Sequence, residues 1–445
     1  MKNDEERKGG TRPEGAKKPG AAQDGRKRRR AQPGPAGALK MGRSLRTGGA
    51  YIMRAGERFY NGFNTFTQTG KLPADKKRRG AAPSRRAIPR NLSYAIFLLS
   101  IFLIMSVALM VLNNASVSVE RLTVSVVGLA KELEGYTILH ISDLHGRSFG
   151  AKQTSLLRTV NGLNYNLAVF TGDMVGRSND PQPFYDLLEG LKAKRPMYFI
   201  AGDSDPGPLL SEPRQITSTL DELVLSDWVL GAQQRGATYL SATEGVPVGQ
   251  TTLWLSNVGD LSLDIQDTLK TLTAQVDQEA DGVLYEIEAD RRTLPFTDYR
   301  KQRAARLDRA VRAMKPADTH LALSHYPPGK EYIEVAQQLG ESENREHQYL
   351  PSVDLVLAGH YCGGGWKLPF LGAPYVPNTL LDRHGWFPAP EDVQGLKALG
   401  STQLCTSPGL SVTDAIALPN FRLFNPPTVT LITLTSAITD DLLGR

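Results

Sequence analysis

The stretch YTILHISDLH, residues 136–145, is the part of the sequence that decides the fold class. It opens as a near-continuous apolar run, typical of a β-strand buried on both faces, and this run is followed at once by Asp143 and His145. Similar apolar runs lie at 166–173 and 196–203, and helical stretches separate them. Strands that alternate with helices in this way predict a mainly parallel sheet with helices packed outside it.

Side chains that can bind metals come directly after apolar runs at five places in the chain. These places are Asp143 with His145, Asp173, Asp203, His325, and His360 with Cys362. The carboxyl ends of strands in an α/β sheet open onto one crevice, so we expect these side chains to converge there. Carboxylates and imidazoles together suit divalent ions such as Mn, Fe or Zn. The sequence therefore predicts a metal centre built on strand ends.

The order of these residues resembles that of the calcineurin-like metallophosphoesterases. The family pattern runs D-x-H, GD, GNH[DE], a histidine and GHxH. The chain matches it with Asp143-Leu144-His145, Gly172-Asp173, Gly202-Asp203-Ser204-Asp205, Ser324-His325 and Gly359-His360-Tyr361-Cys362. The likeness extends from about residue 117 to the C-terminus, and LEGYTILHISDLH (133–145) and GHYCGGGWKLPF (359–370) resemble the bacterial membrane-associated branch.

The resemblance implies a fold, a cofactor and a reaction. The fold is α/β, a four-layer α/β/β/α sandwich in which two mixed sheets pack face to face with helices outside. The cofactor is a pair of divalent ions, Mn, Fe or Zn, which hold a phosphate ester and activate the attacking water. In this sequence Asp143 and His145 would bind the first ion, Asp173 would bridge both, and the second ion would be bound by Asp203, His325 and His360.

The expected catalytic positions are Asp173, Asp203 and Ser204, and two of them depart from the family pattern. Asp203 replaces an Asn; its carboxylate can still bind the second ion but adds a negative charge. Ser204 replaces the histidine that helps stabilise or protonate the leaving oxygen, and serine has no pKa suited to general acid catalysis. Tyr326 or His384 could take that place, and the sequence does not choose between them.

Cys362 is a third departure, because the family has a histidine here that completes the shell of the first ion. A thiolate at this position would favour Zn or Fe over Mn. The chain has two cysteines, so Cys362 could instead form a disulfide with Cys405 in a domain outside the cytoplasm. A third interpretation gives Cys362 neither role.

Two functions remain open from these residues. The first is a metal-dependent phosphoesterase with an altered site, acting on a phosphate ester; a lipid-linked or envelope substrate follows only from the resemblance to the membrane-associated branch. The second is a catalytically degenerate protein of the same fold that serves as a binding or scaffold module at the cell envelope.

Charge and hydropathy predict how the chain is placed. Residues 1–90 hold 24 Lys and Arg against 7 Asp and Glu, whereas residues 91–445 hold 28 against 39. Between these parts, Leu92–Leu112 is an uncharged apolar run of 21 residues, long enough to span a bilayer. Basic residues beside a span stay in the cytoplasm, so we expect a single-pass membrane protein with its N-terminus inside and its body outside.

These features predict three parts of the chain. Residues 1–90 form a disordered basic cytoplasmic tail that could bind anionic lipid, residues 91–114 form the transmembrane helix, and residues 115–445 form the metallophosphoesterase domain. A nucleic-acid partner for the metal centre is disfavoured, because the basic charge lies on the opposite side of the membrane from an acidic body.

Overall fold

The computed structural model describes residues 90–215, 219–342, 346–376, 382–412 and 422–437. The predicted disorder of the basic tail concerns residues outside these ranges. The first described element is helix α1, Arg90–Ala115, which covers the predicted span 91–114. Its segment Asn91–Ala108 has a mean hydropathy of 2.0 and is 6% buried, so α1 is long and apolar enough to cross a membrane.

The rest of the described chain alternates between strands and helices. The strands are β1 (Ser118–Ser125), β2 (Thr137–Ile141), β3 (Leu167–Thr171), β4 (Met197–Ile200), β5 (Ala237–Tyr239), β6 (Glu244–Val248), β7 (Thr251–Asn257), β8 (Thr319–Ser324), β9 (Leu355–Ala358), β10 (Gly395–Leu399), β11 (Thr402–Thr406) and β12 (Thr428–Thr435). The remaining α-helices are α2 (Thr154–Val160), α3 (Gln182–Gly190), α4 (Leu220–Val224), α5 (Asp227–Gln234), α6 (Ile265–Leu284), α7 (Glu288–Ala313), α8 (Lys330–Gly340) and α9 (Pro390–Val393).

The strands form two six-stranded mixed sheets. In the first sheet the order is β1-β12-β2-β3-β4-β5, and in the second it is β10-β11-β9-β8-β7-β6. Strands β2, β3 and β4 run parallel to each other, as do β7, β8, β9 and β11. Parallel strands place their carboxyl ends at the same edge, which is the arrangement that the predicted metal centre requires.

The alternation of side chains along each strand builds four layers. In β3, Leu167 and Val169 point into the apolar core between the sheets, whereas Ala168 and Phe170 pack against helices on the outer face. The second sheet has the same arrangement. Leu355 and Leu357 of β9 face the core between the sheets, and the alternate residues Val356 and Ala358 face helices α6, α7 and α8. Both faces of each sheet are therefore buried, which explains the near-continuous apolar runs. The predicted α/β/β/α sandwich is confirmed.

The region after residue 264 is polar, and its clearest amphipathic pattern, KQRAARLDRAVRAMK (301–315), predicts a helix there. The helix found, α7, begins earlier, at Glu288, and runs through Pro295. It packs along α6, so these two helices form a hairpin that covers the outer face of the second sheet with Ile265 and Leu307.

Candidate metal centre

Five strand ends deliver the candidate ligands to one place. The turn after β2 carries Asp143 and His145, and the turns after β3 and β4 carry Asp173 and Asp203. His325 follows β8 of the other sheet, and His360 and Cys362 follow β9. The site therefore lies where the carboxyl edges of both sheets meet.

The donor atoms form two adjoining groups. Within each group the atoms lie within 4.8 Å of one another; the first group is Asp143, His145 and Cys362, and the second is Asp173, Asp203, His325 and His360. Asp173 connects them, because its Oδ2 lies 3.5 Å from His145 Nε2 and 3.4 Å from His325 Nε2. On the other side, His325 Nε2 lies 2.8 Å from Asp203 Oδ1 and 3.2 Å from His360 Nδ1.

The backbone at the site is held in an unfavourable conformation. Left-handed φ angles occur at Asp143 (54°), His145 (48°), Asp173 (54°), His360 (75°) and Cys362 (50°). For a residue with a Cβ this conformation costs about 1–2 kcal/mol. Such strain is kept where the surrounding fold enforces it, and it collects at functional sites. Here the sharp turns redirect the chain so that successive donors face inward.

Two glycines, Gly172 and Gly202, allow the loops after β3 and β4 to pass close to the donor side chains. A Cβ on Gly202 would lie 2.1 Å from Asp173 Oδ1, and a Cβ on Gly172, whose φ is 90°, would lie 2.7 Å from His325 Nδ1. Neither position can accept a side chain without moving a donor. The glycines of the two Gly-Asp motifs are therefore explained by close packing against the carboxylate and the imidazole.

The tautomer of His325 is set by the backbone. Its Nδ1 donates a hydrogen bond to the carbonyl of Thr171 at 2.9 Å. Nε2 is then the nitrogen that faces Asp173 and Asp203, and its lone pair is the one available to a metal ion. A backbone acceptor of this kind orients an imidazole for metal binding.

The electrostatics of the cluster call for a cation. Burial favours the neutral form of His325, but hydrogen bonds to Asp173 and Asp203 outweigh it and raise the pKa of this imidazole well above its usual range. Hydrogen bonds from His325 and His360 hold the pKa of Asp203 far below its ordinary value. Among the described residues, the ion-pair partners of Asp173 and Asp203 are imidazoles and not Lys or Arg.

Three carboxylates thus share one partly buried space, and among the described residues none of them forms an ion pair with a Lys or Arg side chain. Asp143 and Asp173 are 0% and 2% exposed, so water screens their charges poorly. Oxygen and nitrogen donors in such a cluster suit divalent transition metals. The residues present therefore fit the pair of ions that the sequence resemblance implies.

Cys362 and Cys405 are both buried, and both are free thiols. Cys362 belongs to the donor group of Asp143, whereas Cys405 on β11 lies in the apolar core between the sheets. The disulfide considered from the sequence is therefore not formed. Burial, followed by the nearby charge of Asp143, raises the pKa of Cys362 well above its usual range, and a cation beside the thiol would oppose this shift.

The place of the missing histidine is partly taken by a tyrosine. The Tyr326 ring packs on the His360 ring with centroids 3.9 Å apart. Burial, followed by the nearby Asp203, raises the pKa of the Tyr326 hydroxyl. His384 is exposed, and no described contact joins it to the donor groups. Ser204 reaches the site through its backbone, which donates to Asp173 Oδ1 at 2.9 Å.

Asp205 supports the loops and not a catalytic side chain. Its carboxylate accepts hydrogen bonds from the backbone N–H groups of Val175 (2.7 Å), Gly176 (3.0 Å) and Gly202 (2.9 Å). These bonds hold the loop after β3 against the loop after β4. Asp205 therefore fixes the relative position of Asp173 and Asp203.

Sequence reasoning missed Arg422, a fully buried cation behind the first donor group. Its guanidinium donates to the carbonyls of five residues: Cys362 (2.9 Å), Pro408 (2.7 Å), Gly409 (2.9 Å), Ser411 (2.5 Å) and Asn425 (2.7 Å). The backbone of Arg422 also exchanges two hydrogen bonds with the Asn114 side chain of α1, at 2.8 and 2.7 Å. No local pattern marks this arginine, since its acceptors come from distant segments.

Comparison with known proteins identifies the family of the chain. The model of the calcineurin-like phosphoesterase family matches residues 136–363, a little over half of the 445 residues. A solved structure of phosphopantetheinyl hydrolase from Mycobacterium tuberculosis is similar over 62% of this chain and 91% of that chain, with 11% identity and a TM-score of 0.28. No curated protein matches the sequence. The matched segment includes Asp143, Asp173, His325 and His360, and the chain belongs to the calcineurin-like phosphoesterase family.

Proposed function

We propose that this protein is a membrane-anchored, metal-dependent phosphoesterase. The observation that carries the proposal is the position of Asp173, whose Oδ2 lies within 3.5 Å of both His145 Nε2 and His325 Nε2. A carboxylate between two donor groups is what a site for two neighbouring ions requires. We assign Asp143, His145, Asp173 and Cys362 to the first ion, and Asp173, Asp203, His325 and His360 to the second.

The ions, when bound, would hold the phosphate group and lower the pKa of the attacking water. The chain's own residues prepare the site for them. His325 presents Nε2 because Thr171 holds its Nδ1, and Asp143 is held by the backbone N–H of His360 at 3.0 Å from its Oδ1. These contacts fix the donors before the substrate arrives, which is how a site is preorganised.

The leaving-group side of the site is the part that is altered. With Ser204 in place of histidine, the family's usual proton donor is missing, and general acid catalysis typically contributes about 10²–10⁴-fold. Tyr326 supplies a hydroxyl beside Asp203 on the same side. We therefore expect activity toward esters with good leaving groups to survive better than activity toward simple alkyl phosphates.

The proposed substrate is a phosphate ester at or near the membrane surface. Strand β1 begins at Ser118, three residues after α1 ends at Ala115, so little chain separates the helix from the domain. The excess of basic residues before the helix favours an N-terminus inside and a metal centre outside the cytoplasm. Protease treatment of intact cells would test this orientation, since it should remove a C-terminal tag and spare an N-terminal one.

The second candidate is a degenerate member of the family that binds a partner and does not hydrolyse it. The observations that favour it are Ser204, which stands in place of the family's usual proton donor, and Cys362, which stands in place of a histidine in the first donor group. It predicts a folded protein that binds metal but turns over no ester.

Hydrolysis of bis-p-nitrophenyl phosphate by the detergent-solubilised full chain distinguishes the two. The protein would be loaded separately with Mn, Fe, Co and Zn, and Asp173→Ala compared with Asp277→Ala, which removes an exposed carboxylate from α6. Metal-dependent turnover that is lost only in Asp173→Ala supports the enzyme. Stoichiometric metal without turnover in any preparation rejects it in favour of the binding module.

A further inference from the structure

A cavity of about 440 Å³ lies between the last turn of α1 and the loop that follows the first metal ligands. One wall is apolar, with Met110 and Val111 of α1 facing Phe149. The other is polar, with Arg147 and Ser148 of the loop beside Asn114. An apolar wall beside a cationic one suits an amphiphile with an anionic head.

Arg147 is the charged group of this cavity, and it lacks an anionic partner among the described residues. Its Nη2 donates to the Asn114 carbonyl at 2.8 Å, and its guanidinium lies 4.7 Å from the centre of the Phe149 ring. Its Nη1 is buried and makes no hydrogen bond with any described residue. A buried donor on a permanent cation normally has an acceptor, so this nitrogen is available to an anionic ligand.

The length of α1 determines where the Arg147 guanidinium would lie relative to the hydrocarbon layer of a membrane. The uncharged run Leu92–Leu112 would be ~31 Å long at about 1.5 Å per residue, close to the roughly 30 Å thickness of the hydrocarbon layer. Asn114 stands two residues beyond this run, about 3 Å past its end. Arg147 donates to the Asn114 carbonyl, so with α1 as a membrane span its guanidinium would lie at the level of the lipid headgroups and Val111 where the acyl chains begin.

We propose that this cavity binds the phosphate group of a membrane phospholipid, with Arg147 as its counter-ion and Met110, Val111 and Phe149 against the start of the acyl chains. The proposal rests on α1 being a membrane span, as in the proposed function. Arg147 stands two residues after His145, so the bound lipid also braces the loop that carries Asp143 and His145. The site thereby connects the bilayer surface to the first donor group.

The test uses the purified full chain in a neutral detergent. Phosphatidylglycerol is titrated into the micelles, and retained lipid is counted by native mass spectrometry while the thermal midpoint is recorded. A diacylglycerol with the same chains lacks the phosphate, and inorganic phosphate lacks the chains. We expect one phosphatidylglycerol to be retained and to raise the thermal midpoint, and neither control ligand to do so.

Arg147→Gln should weaken phosphatidylglycerol binding by about tenfold or more, the worth of a charge-assisted hydrogen bond. Arg158→Gln removes an exposed arginine from the nearby helix α2 and should leave binding unchanged. A second pair keeps Arg147 in place: Ser148→Glu introduces a repelling charge at the cavity and should abolish binding, whereas Ser148→Gln should retain it. Ser148 is exposed, so both of its variants are expected to fold.

The proposal is overturned if Arg147→Gln and Ser148→Glu bind the lipid as wild type does, if diacylglycerol binds equally well, or if inorganic phosphate competes at the same concentration as the lipid. Extraction of native membranes with alkaline carbonate tests the span separately. Protein released by carbonate would refute the membrane anchor itself. Protein retained by carbonate, with lipid binding insensitive to Arg147, would refute the phospholipid site alone.

Discussion

Replacing Arg422 by methionine should destabilise the fold more than any surface arginine could. Arg422 is 1% exposed, and its guanidinium donates to five carbonyls that lie behind the first donor group. Methionine is of similar length and fills the same space, but it has no donor. The substitution therefore removes hydrogen bonds with little change in packing volume.

The size of the effect follows from the acceptors left behind. The carbonyls of Cys362 and Gly409 each accept a second bond from another backbone N–H, so they stay satisfied. The carbonyls of Pro408 and Asn425 have no other described donor, and a buried acceptor without a partner costs about 1–3 kcal/mol. Two such groups cost about 2–6 kcal/mol, and the removal of a buried cation offsets part of this. We expect a net loss of about 2–4 kcal/mol, a large share of the roughly 5–15 kcal/mol that stabilises a typical domain.

Urea unfolding in detergent, followed by tryptophan fluorescence, measures this loss. Arg158→Met is the matched control, because it makes the same substitution at an exposed position. The control should change the free energy of unfolding by less than about 0.5 kcal/mol. If Arg422→Met were destabilised by less than about 1 kcal/mol, or no more than the control, the carbonyls would have found other donors and the reasoning would be wrong.

Three further predictions concern the metal centre and the core. Gly202→Ala would place a methyl group 2.1 Å from Asp173 Oδ1, so the amount of bound metal measured by mass spectrometry should fall. Gly207→Ala is the control and should bind metal normally, because the nearest atom to its methyl group would be 3.5 Å away. Equal metal contents in the two variants would contradict the packing argument. Cys362→Ser should abolish the thiolate-to-metal absorption band of the Co(II)-loaded protein, and a cobalt spectrum without such a band in the wild type would remove Cys362 from the ligand set. Burial lowers the pKa of His320 from 6.5 to about 4, so between these pH values the unfolded chain binds a proton at this histidine and the folded chain does not. The contribution of His320 to the free energy of unfolding is therefore present above about pH 6.5 and is lost as the pH falls toward 4. Between pH 7.5 and 5 the wild type should lose about 2 kcal/mol more than His320→Gln in urea titrations, and equal losses would contradict this.

The positions of the candidate ligands could be predicted because they depend on local sequence. An apolar run such as 136–142 is buried wherever it lies, and a polar residue directly after it must stand at a strand end. For the same reason, Asp173, Asp203, His325 and His360 are expected at one edge of the sheets. The geometry of the turns, with left-handed φ angles at five of these ligands, is a consequence of packing that the sequence only hints at through Gly172 and Gly202.

The environments of the two cysteines could not be predicted in this way. Cys362 and Cys405 both follow or lie within apolar stretches, and their separation in sequence permits a disulfide. Their surroundings were decided by the register of β11 beside β9, which turns Cys405 toward the apolar core between the sheets. All five residues of β11 are buried, so its sequence has no alternation to show which side chains face the inner core.

By itself the sequence determined the class of the fold, the order of the donors along the chain and the uncharged span before the domain, since each of these depends on residues that are neighbours in sequence. Only the tertiary structure decided that Asp173 lies between two donor groups, that Tyr326 packs beside Asp203, and that a buried Arg422 connects the end of α1 to the loop of Cys362. Those features need contacts between residues from tens to hundreds of positions apart, as when Ser118 of β1 pairs with Thr428 of β12. Burial and the exclusion of water then set which charges need a partner, and no one-dimensional pattern carries that information.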